Sequence, residues 1–448
     1  MKIDVAGAGA GKTTGLAKEI IAKHKITPNN KNIYCVAFTN AAVASIREKI
    51  QSHFGMIPSN IIICTIHSFL YQEFIFPYYY LLYKKHYKFI STIQLPMVQS
   101  YKNARLSELE NKDILHVEKI PERAKWVVVK KSSDKAREQR VRDSILSAYL
   151  SYCGSIYVDE AQDIDSNMKE IFSKLDILGV DLVLKGDPKQ DIRGHACFRE
   201  LIIENSVNVT YNSVCHRCPI SHLKITNSLI PRQEQQLSEK SGGRIEIVFE
   251  NEICLSEFLS INFDLKYIYK KNDRIDTHFE KDNLVKFDNL YYEIQTILTT
   301  VKQEMDAETI EITAYRFTTQ LMSRWYKSGG KVSDVLKPFC DYTGRLTNVQ
   351  YVRLCDVFTN CDSPKVSKPV VSSIESVKGL EGVKCLFVLT NELAPYLFGK
   401  KKTENKTKNA LYVALTRSLD ALTILISKEV ENDYGKENIL HFFETKNK

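Results

Sequence analysis

Short apolar runs rich in β-branched residues recur along the chain and alternate with longer stretches of helical character. Strands that alternate with helices indicate α/β units built around parallel sheets. The runs form an early and a late group, which predicts two such sheets. They are Ile3 to Ala6, Ile33 to Phe38, Ile61 to Cys64, Ile156 to Val158, Leu182 to Leu184, Ile310 to Ala314, Cys385 to Leu389 and Leu422 to Ile426.

Two stretches interrupt this alternation and are predicted to be insertions. Residues 70–150 are rich in Tyr, Lys and Arg and have mostly helical character, for example from Asp134 to Tyr152. Residues 322–370 contain Gly329, Gly330 and several prolines, so we expect a small or irregular insertion there. The polar, Lys-rich run at 400–408 is expected to be a solvated connector.

Composition narrows the class of protein. A chain of 448 residues exceeds the usual limit of one hydrophobic core, so two main domains are expected. The net charge of +8 is compatible with a polyanionic partner but is weak evidence alone. The 11 cysteines show no disulfide pattern, and neither a leader nor an apolar run of membrane-spanning length is visible. We therefore expect a cytoplasmic protein with no membrane partner.

A glycine-rich loop follows the first predicted strand and opens a helix, which is the setting of a Walker A loop. Its backbone N–H groups can surround a phosphate at the positive end of the helix. Lys12 is expected to reach the β- and γ-phosphates of ATP, and Thr13 to hold Mg²⁺. The alternative is a glycine-rich turn with a chance Lys-Thr pair. The candidate nucleotide-binding residues are Ala6, Gly7, Ala8, Gly9, Ala10, Gly11, Lys12, Thr13 and Thr14.

A second motif supplies the acids that nucleotide hydrolysis requires. The apolar run ending at Val158 is followed directly by Asp159 and Glu160. Asp159 is the candidate ligand of Mg²⁺, and Glu160 is the candidate base that activates the attacking water. An acidic strand end without catalytic function is the alternative. The two motifs together predict an ATP hydrolase.

The acidic motif DEAQD at 159–163 resembles that of the UvrD/Rep/PcrA branch of superfamily 1 helicases. Other segments follow the motif order of that family. Each match is weak alone, whereas the series in family order is specific. The segments are Phe38 to Ala42 with Arg47 and Ile50 (motif Ia), Thr65 to Phe69 (Ib), Gly186 to Gln190 (III), Cys215 to Pro219 (IV), Ala314 to Gln320 (a strand between IV and V), Ser376 to Glu381 (V) and Leu411 to Arg417 (VI).

The resemblance implies an α/β fold of two RecA-like P-loop NTPase domains, each a parallel sheet flanked by helices. The first would cover 1–210 with a mostly helical insertion at 70–150, and the second 211–448 with a reduced insertion at 322–370. The implied catalytic residues are Lys12, Glu160, Gln190, Arg217 and Arg417. The two arginines would neutralise the transferred phosphoryl group from the second domain, unless they form ordinary surface salt bridges. Glu381 would bind the ribose.

The family also binds a single strand across both domains. By resemblance the nucleic-acid contacts are Phe38, Asn40, His67 and Ser376, each of which could instead serve packing or capping. Lys84, Lys85 and Lys88, together with the tyrosines at 78–80, could extend a basic aromatic face. A solvated helix surface explains that cluster equally well.

The sequence departs from the family at several positions. Almost nothing precedes Ala6, where the family has a Gln-containing segment that binds adenine. The nearest aromatic residue after motif III is Phe198, His216 replaces the aromatic residue beside Arg217, and Glu375 replaces a histidine in motif V. With small insertions, these changes predict poor processive unwinding. A zinc site around Cys215 and Cys218 is disfavoured, because a second CxxC pair is missing.

The size, the motifs and the reduced architecture resemble the helicase-like B subunits of Gabija antiphage systems, which act with an OLD-family nuclease. One hypothesis is therefore a 3′-to-5′ DNA helicase or translocase that works on single-stranded or end-containing DNA, with a nuclease partner, in DNA processing or antiphage defence. The second hypothesis is a DNA-responsive ATPase subunit that controls a nuclease and unwinds little or nothing. A small-molecule P-loop kinase would have no use for motifs V and VI.

Overall fold

The computed structural model describes residues 1–96, 98–277, 281–328, 331–344, 346–359 and 369–447. Gly329 and Gly330, which mark the second predicted insertion, lie outside these ranges. The described chain divides into two compact units: the first contains 1–88, 117–271 and 372–448, and the second contains 89–116 and 272–371. In the described parts, we find no helix with the length and apolarity needed to cross a membrane.

The strands of the described chain fall into two large sheets and one small one. They are β1 (Lys2–Ala6), β2 (Asn32–Ala37), β3 (Ile61–Thr65), β4 (Phe89–Ser91), β5 (Ile114–His116), β6 (Cys153–Val158), β7 (Asp181–Gly186), β8 (Val209–Asn212), β9 (Arg244–Phe249), β10 (Leu265–Ile268), β11 (Ser372–Ser373), β12 (Gly382–Leu389) and β13 (Ser418–Ile426).

The α-helices occupy most of the connections between these strands. They are α1 (Lys12–His24), α2 (Asn40–Phe54), α3 (Ile66–Leu70), α4 (Phe76–Tyr83), α5 (Gln99–Asn111), α6 (Ile120–Val128), α7 (Ala136–Tyr152), α8 (Ser166–Ile177), α9 (Cys197–Glu204), α10 (Ile220–Asn227), α11 (Leu255–Ser260), α12 (Lys281–Val301), α13 (Ala307–Ser328), α14 (Val332–Thr343), α15 (Asn348–Thr359), α16 (Ala394–Leu397), α17 (Lys406–Leu415), α18 (Lys428–Tyr434) and α19 (Lys436–Asn447).

The first large sheet is parallel throughout and has the strand order β3-β2-β6-β7-β1-β8. Its central strands are covered on both faces, which explains why β2 is an unbroken apolar run that is buried from Ile33 to Ala37. Leu16 and Ile20 of α1 pack into this core at helical spacing. In such a sheet all carboxyl ends of the strands lie at one edge, where ligands bind in α/β folds.

The second large sheet is also parallel and has the order β11-β10-β12-β13-β9. Its core is formed largely by β12, β13 and α17. The predicted α/β class with parallel sheets flanked by helices is therefore confirmed. Both large sheets belong to the first compact unit.

The predicted strand at Ile310 to Ala314 is wrong. These residues lie inside α13 (Ala307–Ser328), as does the segment Ala314 to Gln320 that was expected to form a strand between motifs IV and V. Ile310, Ala314 and Leu321 are buried among α12 to α15, whereas Ile312 is 62% exposed. That spacing fits a helix rather than a strand.

The second compact unit is therefore mostly helical and contains α5, α12 to α15 and the small β4–β5 sheet. In its second chain segment the described helices are α12 to α15, of which α12 begins at Lys281. Arg105 forms ion pairs with Glu108 and Glu293, which connect α5 to α12. Between residues 70 and 150 the expected helices are present, and α7 ends at Tyr152 as predicted.

Candidate nucleotide-binding site

The loop between β1 and α1 is shaped to bind an anion. Gly9 and Gly11 have φ values of 71° and 72°, in the left-handed region that glycine adopts without strain. Among the described residues, no side chain caps the N-terminus of α1. By contrast, the Thr39 hydroxyl accepts from Ala42 N at the start of α2. The first-turn N–H groups of α1 are therefore available to a phosphate, at the positive end of the helix dipole.

Lys12 lies folded over this loop. Its Nζ donates to the carbonyl oxygens of Ala6 at 3.3 Å and Gly7 at 3.2 Å. Both contacts are long and have neutral acceptors, whereas phosphate oxygens carry charge and form stronger hydrogen bonds with an ammonium group. The ammonium is thus placed to transfer from the loop carbonyls to a bound polyphosphate.

Thr13 and Asp159 meet beside the loop, with 2.8 Å between Thr13 Oγ1 and Asp159 Oδ2. Burial and the adjacent charge of Glu160 raise the pKa of Asp159 to about 6. A buried carboxylate that is costly to ionise, beside a hydroxyl oxygen, is a donor set that suits Mg²⁺, a hard cation that prefers oxygen ligands. These residues therefore fit the predicted metal role.

Glu160 follows Asp159 in a left-handed backbone conformation with φ of 55°. Its carboxylate accepts a hydrogen bond from Gln162 Nε2. Burial opposes ionisation, but the nearby charge of Lys12 and the bond from Gln162 hold the pKa of Glu160 below its usual value. The side chain is therefore ionised, as a base that activates water must be.

Motif III is a buried polar network next to Glu160. Gln190 Nε2 donates to Asp187 Oδ2 at 2.9 Å, and Lys189 Nζ lies 2.7 Å from Asp187 Oδ1. Asp187 N in turn donates to Gln162 Oε1 at 2.9 Å. The amide of Gln190 is therefore oriented through Asp187, and the network joins motif III to the acidic motif.

Three side chains from beyond the first sheet, from Cys215, Gln236 and Tyr412, contact the phosphate-binding loop at one residue, Ala8. Tyr412 Oη accepts from Ala8 N at 3.2 Å, and Gln236 Nε2 donates to Ala8 O at 3.0 Å. Tyr412 Oη also donates to Gln236 Oε1 at 2.8 Å, and Cys215 Sγ donates to Ala8 O at 3.2 Å. The loop is thus fixed on one side by residues outside the first sheet.

Arg217 lies against the same loop. A Cβ placed on Gly9 would come within 2.3 Å of Arg217 Cβ, so only glycine fits there. The guanidinium donates from Nε to Glu381 Oε2 at 2.6 Å. The predicted phosphate-contacting arginine and the predicted ribose-binding acid are therefore brought together as an ion pair.

Arg417 is fully buried beside Arg217. Its nitrogens donate to the carbonyl oxygens of Val413 at 2.9 Å and Leu380 at 3.1 Å and to Thr416 Oγ1 at 3.1 Å. Burial and the charge of Arg217 lower the pKa of Arg417 to about 10. In this conformation the guanidinium orders the end of α17 and is directed at backbone oxygens rather than at the loop.

One further ion pair joins motif V to the acidic motif. Lys378 Nζ lies 2.6 Å and 2.8 Å from the two carboxylate oxygens of Asp163. Both side chains are largely buried, so the interaction is less screened by solvent than a surface pair. A movement of the acidic motif can therefore be transmitted through this ion pair to the motif V segment that precedes Glu381.

The candidate nucleic-acid residues lie at strand ends. Phe38 and Asn40 follow β2 and His67 follows β3, at the edge of the first sheet that also carries Asp159. Phe38 and His67 are half-buried and Asn40 is exposed. Ser376 is exposed after β11 of the second sheet, where its hydroxyl donates to Ser373 O at 2.8 Å. The structure does not bring Ser376 into a hydrogen bond with the other three.

The structure locates the residues at which the sequence differs from the family motifs. Phe198 is buried and packs against Gly186, so it is a core residue rather than an exposed stacking surface. His216 donates its backbone N–H to Gly9 O at 2.9 Å. Within the described residues, no group of three or more His, Cys, Asp or Glu side chains is arranged to hold a metal by itself.

Sequence reasoning missed the contacts at Ala8. Tyr412 lies within the quoted motif VI and could have been found there. Gln236 ends a polar run, QEQQ at 233–236, and carries no local signal of its position. Asp187 and Asp163 belong to quoted motifs, but their contacts with Gln162 and Lys378, respectively, join segments that are separate in sequence.

Comparisons with known proteins agree with these motifs. Residues 2–195, which carry the phosphate-binding loop and the acidic motif, match a family described as AAA domain. A stretch of 191 residues, 42% of this chain, is 31% identical to the Gabija protein GajB of Bacillus cereus (strain VD045). The predicted resemblance to UvrD-like helicases is confirmed. The resemblance to a Gabija protein is confirmed as well.

The similarity to GajB covers only part of that protein. The matched stretch spans 36% of the length of GajB. Among solved structures, the chain is similar to the arterivirus nonstructural protein 10 (helicase) in complex with DNA, with 11% identity and a TM-score of 0.36. That similarity covers 94% of this chain and 59% of the viral chain.

Proposed function

We propose that this protein is a nucleic-acid-dependent ATPase of the UvrD-like helicase type that uses Mg²⁺ and ATP. The observation that carries the proposal is the contact of Tyr412 and Gln236 with Ala8 in the phosphate-binding loop. A small-molecule kinase requires no such link. In a motor, this contact would let ATP binding at the loop change the position of the second sheet. ATP drives domain closure of this type in related folds.

In this mechanism Lys12 and the free N–H groups of α1 bind the polyphosphate. Mg²⁺ would be held by Thr13 and Asp159 and would neutralise charge between the phosphates. Glu160 accepts the proton of the attacking water, and Arg217 and Arg417 stabilise the charge of the transferred phosphoryl group. Arg417 would have to leave its carbonyl contacts, or act through Arg217, in the closed state.

Nucleic acid is the proposed track. Phe38, Asn40 and His67 follow strands at the same sheet edge as the catalytic acids, and Ser376 follows a strand of the other sheet. Stacking and backbone contacts from such residues bind single strands with little dependence on sequence. Movement in the 3′-to-5′ direction on single-stranded or end-containing DNA is proposed from the family resemblance.

The cellular role proposed from the Gabija resemblance is DNA processing or antiphage defence with a nuclease of the OLD family. The second candidate function is a subunit that hydrolyses ATP in response to DNA but controls the nuclease without unwinding. The burial of Phe198 favours it, because the expected base-separating aromatic side chain is then missing after motif III. A strand-displacement assay with and without the nuclease distinguishes the two candidates.

The decisive measurement is ATP hydrolysis by the purified chain with no nucleic acid, with single-stranded DNA, with duplex DNA that has free ends and with RNA. Lys12→Ala serves as the control for contaminating ATPases. We expect at least one nucleic acid to stimulate hydrolysis by the wild type and none to stimulate the variant. Equal, low turnover under all conditions, also in the presence of the nuclease, would contradict the proposal.

A further inference from the structure

An exposed row of aromatic and basic side chains follows one side of α4. Phe76 is 63% exposed and Tyr80 is 50% exposed, and Lys84 is exposed at the end of the same helix. These residues are spaced by four, so neighbouring members lie about 5–6 Å apart between Cβ atoms. We call Phe76, Tyr80 and Lys84 the α4 row.

The opposite side of the helix explains why this row is free to face solvent. Tyr79 and Leu82 are buried, as are Phe74 and Ile75 in the preceding turn. That turn, Tyr71–Ile75, is a π-helical segment, a distortion that often occurs at functional sites. The core therefore anchors α4 through one face. On the other face the Phe76 ring touches only other surface rings, with centroids 6.0 Å from Tyr71 and 6.5 Å from His86 among the described residues, and remains largely exposed.

The exposed end of α4 carries a cation beside an aromatic ring. Lys84 is exposed, and its Nζ lies 5.0 Å from the centroid of the Tyr80 ring. Glu73 is the one acidic residue between positions 71 and 88. Its carboxylate accepts a hydrogen bond from Tyr34 at 2.8 Å, so its charge is directed into the fold. The exposed side of α4 therefore presents flat rings next to a cation.

We infer that the α4 row binds a single-stranded nucleic acid, with bases stacked on Phe76 and Tyr80 and a phosphate paired with Lys84. This inference rests on the proposed function and adds a binding surface outside the helicase motifs. Flat rings accept any base, and the ammonium of Lys84 matches the negative backbone. A purely apolar protein-binding face would not require a cation at this spacing.

The test measures binding of a fluorescein-labelled single-stranded oligonucleotide by anisotropy over a range of salt concentrations. We expect Phe76→Ala combined with Tyr80→Ala to weaken binding about tenfold or more, and Phe76→Leu to lose affinity although it remains apolar. Tyr80→Phe, which keeps the ring, should bind as the wild type does. Lys84→Ala should reduce the slope of log affinity against log salt by about 0.7.

The matched control is Tyr101→Ala, which removes an exposed aromatic side chain from α5. If the wild type binds the oligonucleotide and the double variant binds it equally well, the inference is wrong while the proposed function stands. Retained binding in Phe76→Leu also contradicts it, because the surface would then act only through apolar area, as a protein-docking site does. If the wild type neither binds any oligonucleotide nor is stimulated by one, the proposed function fails as well.

Discussion

The amide of Gln236 lies directly over Gly7, in the space that a side chain at position 7 would occupy. A Cβ built on Gly7 would be 2.2 Å from Gln236 Cδ and 2.4 Å from its Oε1. Gln236 is held there by hydrogen bonds to Ala8 O and from Tyr412 Oη. The glycine at this position is thus required by a contact from the second half of the chain and not by its own φ angle.

We predict that Gly7→Ala and Gln236→Ala each weaken ATP binding by about three- to tenfold. The new methyl group displaces the amide of Gln236, and either change removes its hydrogen bond to Ala8, which contributes about 0.5–1.5 kcal/mol. The loss of ATP affinity in the double variant should not exceed the larger of the two single losses, because both changes remove the same interaction. Isothermal titration with ATP and Mg²⁺ measures all three.

Gly15→Ala is the matched control for these variants. It lies in the same segment, and the nearest atom to a Cβ built there is Lys185 Nζ at 3.8 Å. Helix propensity predicts that this change is neutral or stabilises α1 by up to about 1 kcal/mol. Additive losses in the double variant would show that Gly7 and Gln236 act separately.

Lys12→Ala is predicted to abolish ATP hydrolysis while the thermal unfolding midpoint stays near that of the wild type. The hydrogen bonds of Lys12 go to two loop carbonyls over long distances, so its removal breaks only weak contacts. It also removes a cation that lowers the pKa of Glu160, but Gln162 and Lys378 continue to lower that pKa. Lys18→Ala, an exposed position on the same helix, is the control and should hydrolyse ATP normally. If Lys12→Ala still hydrolysed ATP, the assignment of the loop between β1 and α1 as the nucleotide-binding site would be wrong.

The positions of the strands and the phosphate-binding loop could be predicted because their signals are local. A buried parallel strand is a continuous apolar run, as in β2, and the loop needs glycines directly before Lys12. The same reasoning failed at Ile310 to Ala314, where a β-branched run lies in a helix. The burial of Ile310, Ala314 and Leu321 shows the helical period, which a longer sequence window would have detected.

The contacts at Ala8 could not be predicted, because they depend on how distant segments pack. Gln236 is 228 residues from Ala8 along the chain, and Tyr412 is 404 residues away. Neither pairing follows from residue type, since Gln and Tyr form buried hydrogen bonds in many settings. The motifs predicted that Arg217 and Glu381 contact the same nucleotide, but not that the two side chains form an ion pair with each other.

Arg217→Ala is predicted to reduce the rate of hydrolysis by about 10²- to 10³-fold and to change ATP affinity much less. A donor that acts mainly on the charge of the transition state has an effect of this size and kind. Single-turnover hydrolysis and equilibrium binding of ATP separate the two effects. Arg232→Ala, at an exposed arginine 15 positions further along the chain, is the control. A loss confined to affinity would assign Arg217 to ground-state binding.

Arg417→Ala is predicted to retain ATP binding and lose hydrolysis. Because Arg417 is fully buried and donates to two carbonyls and a hydroxyl, the alanine variant also removes three hydrogen bonds at the end of α17 and leaves a cavity there. Arg417→Lys restores a charge and some of the donors, and should recover stability more than activity. Chemical denaturation and steady-state kinetics on both variants test this, and normal hydrolysis by Arg417→Ala would show that motif VI is wrongly assigned.

Asp159→Asn is predicted to stabilise the fold at pH 8 while it removes Mg²⁺-dependent hydrolysis. Burial and the charge of Glu160 raise the pKa of Asp159 from 3.8 to about 6, so the ionised form is disfavoured in the folded state. This destabilisation is present above about pH 6 and disappears as the pH falls towards 3.8, because the folded protein then takes up the proton. The shift corresponds to at most about 3 kcal/mol.

Urea denaturation of the metal-free protein at pH 8 and pH 4 measures this difference directly. The asparagine keeps an oxygen that can accept from Thr13 Oγ1, so the variant should exceed the wild type in stability at pH 8 and equal it near pH 4. Asp273→Asn, at an exposed position, should show no such pH-dependent gain. If the variant were less stable than the wild type at pH 8, the ionised Asp159 carboxylate would be stabilised by its surroundings. It would then gain less from a bound Mg²⁺.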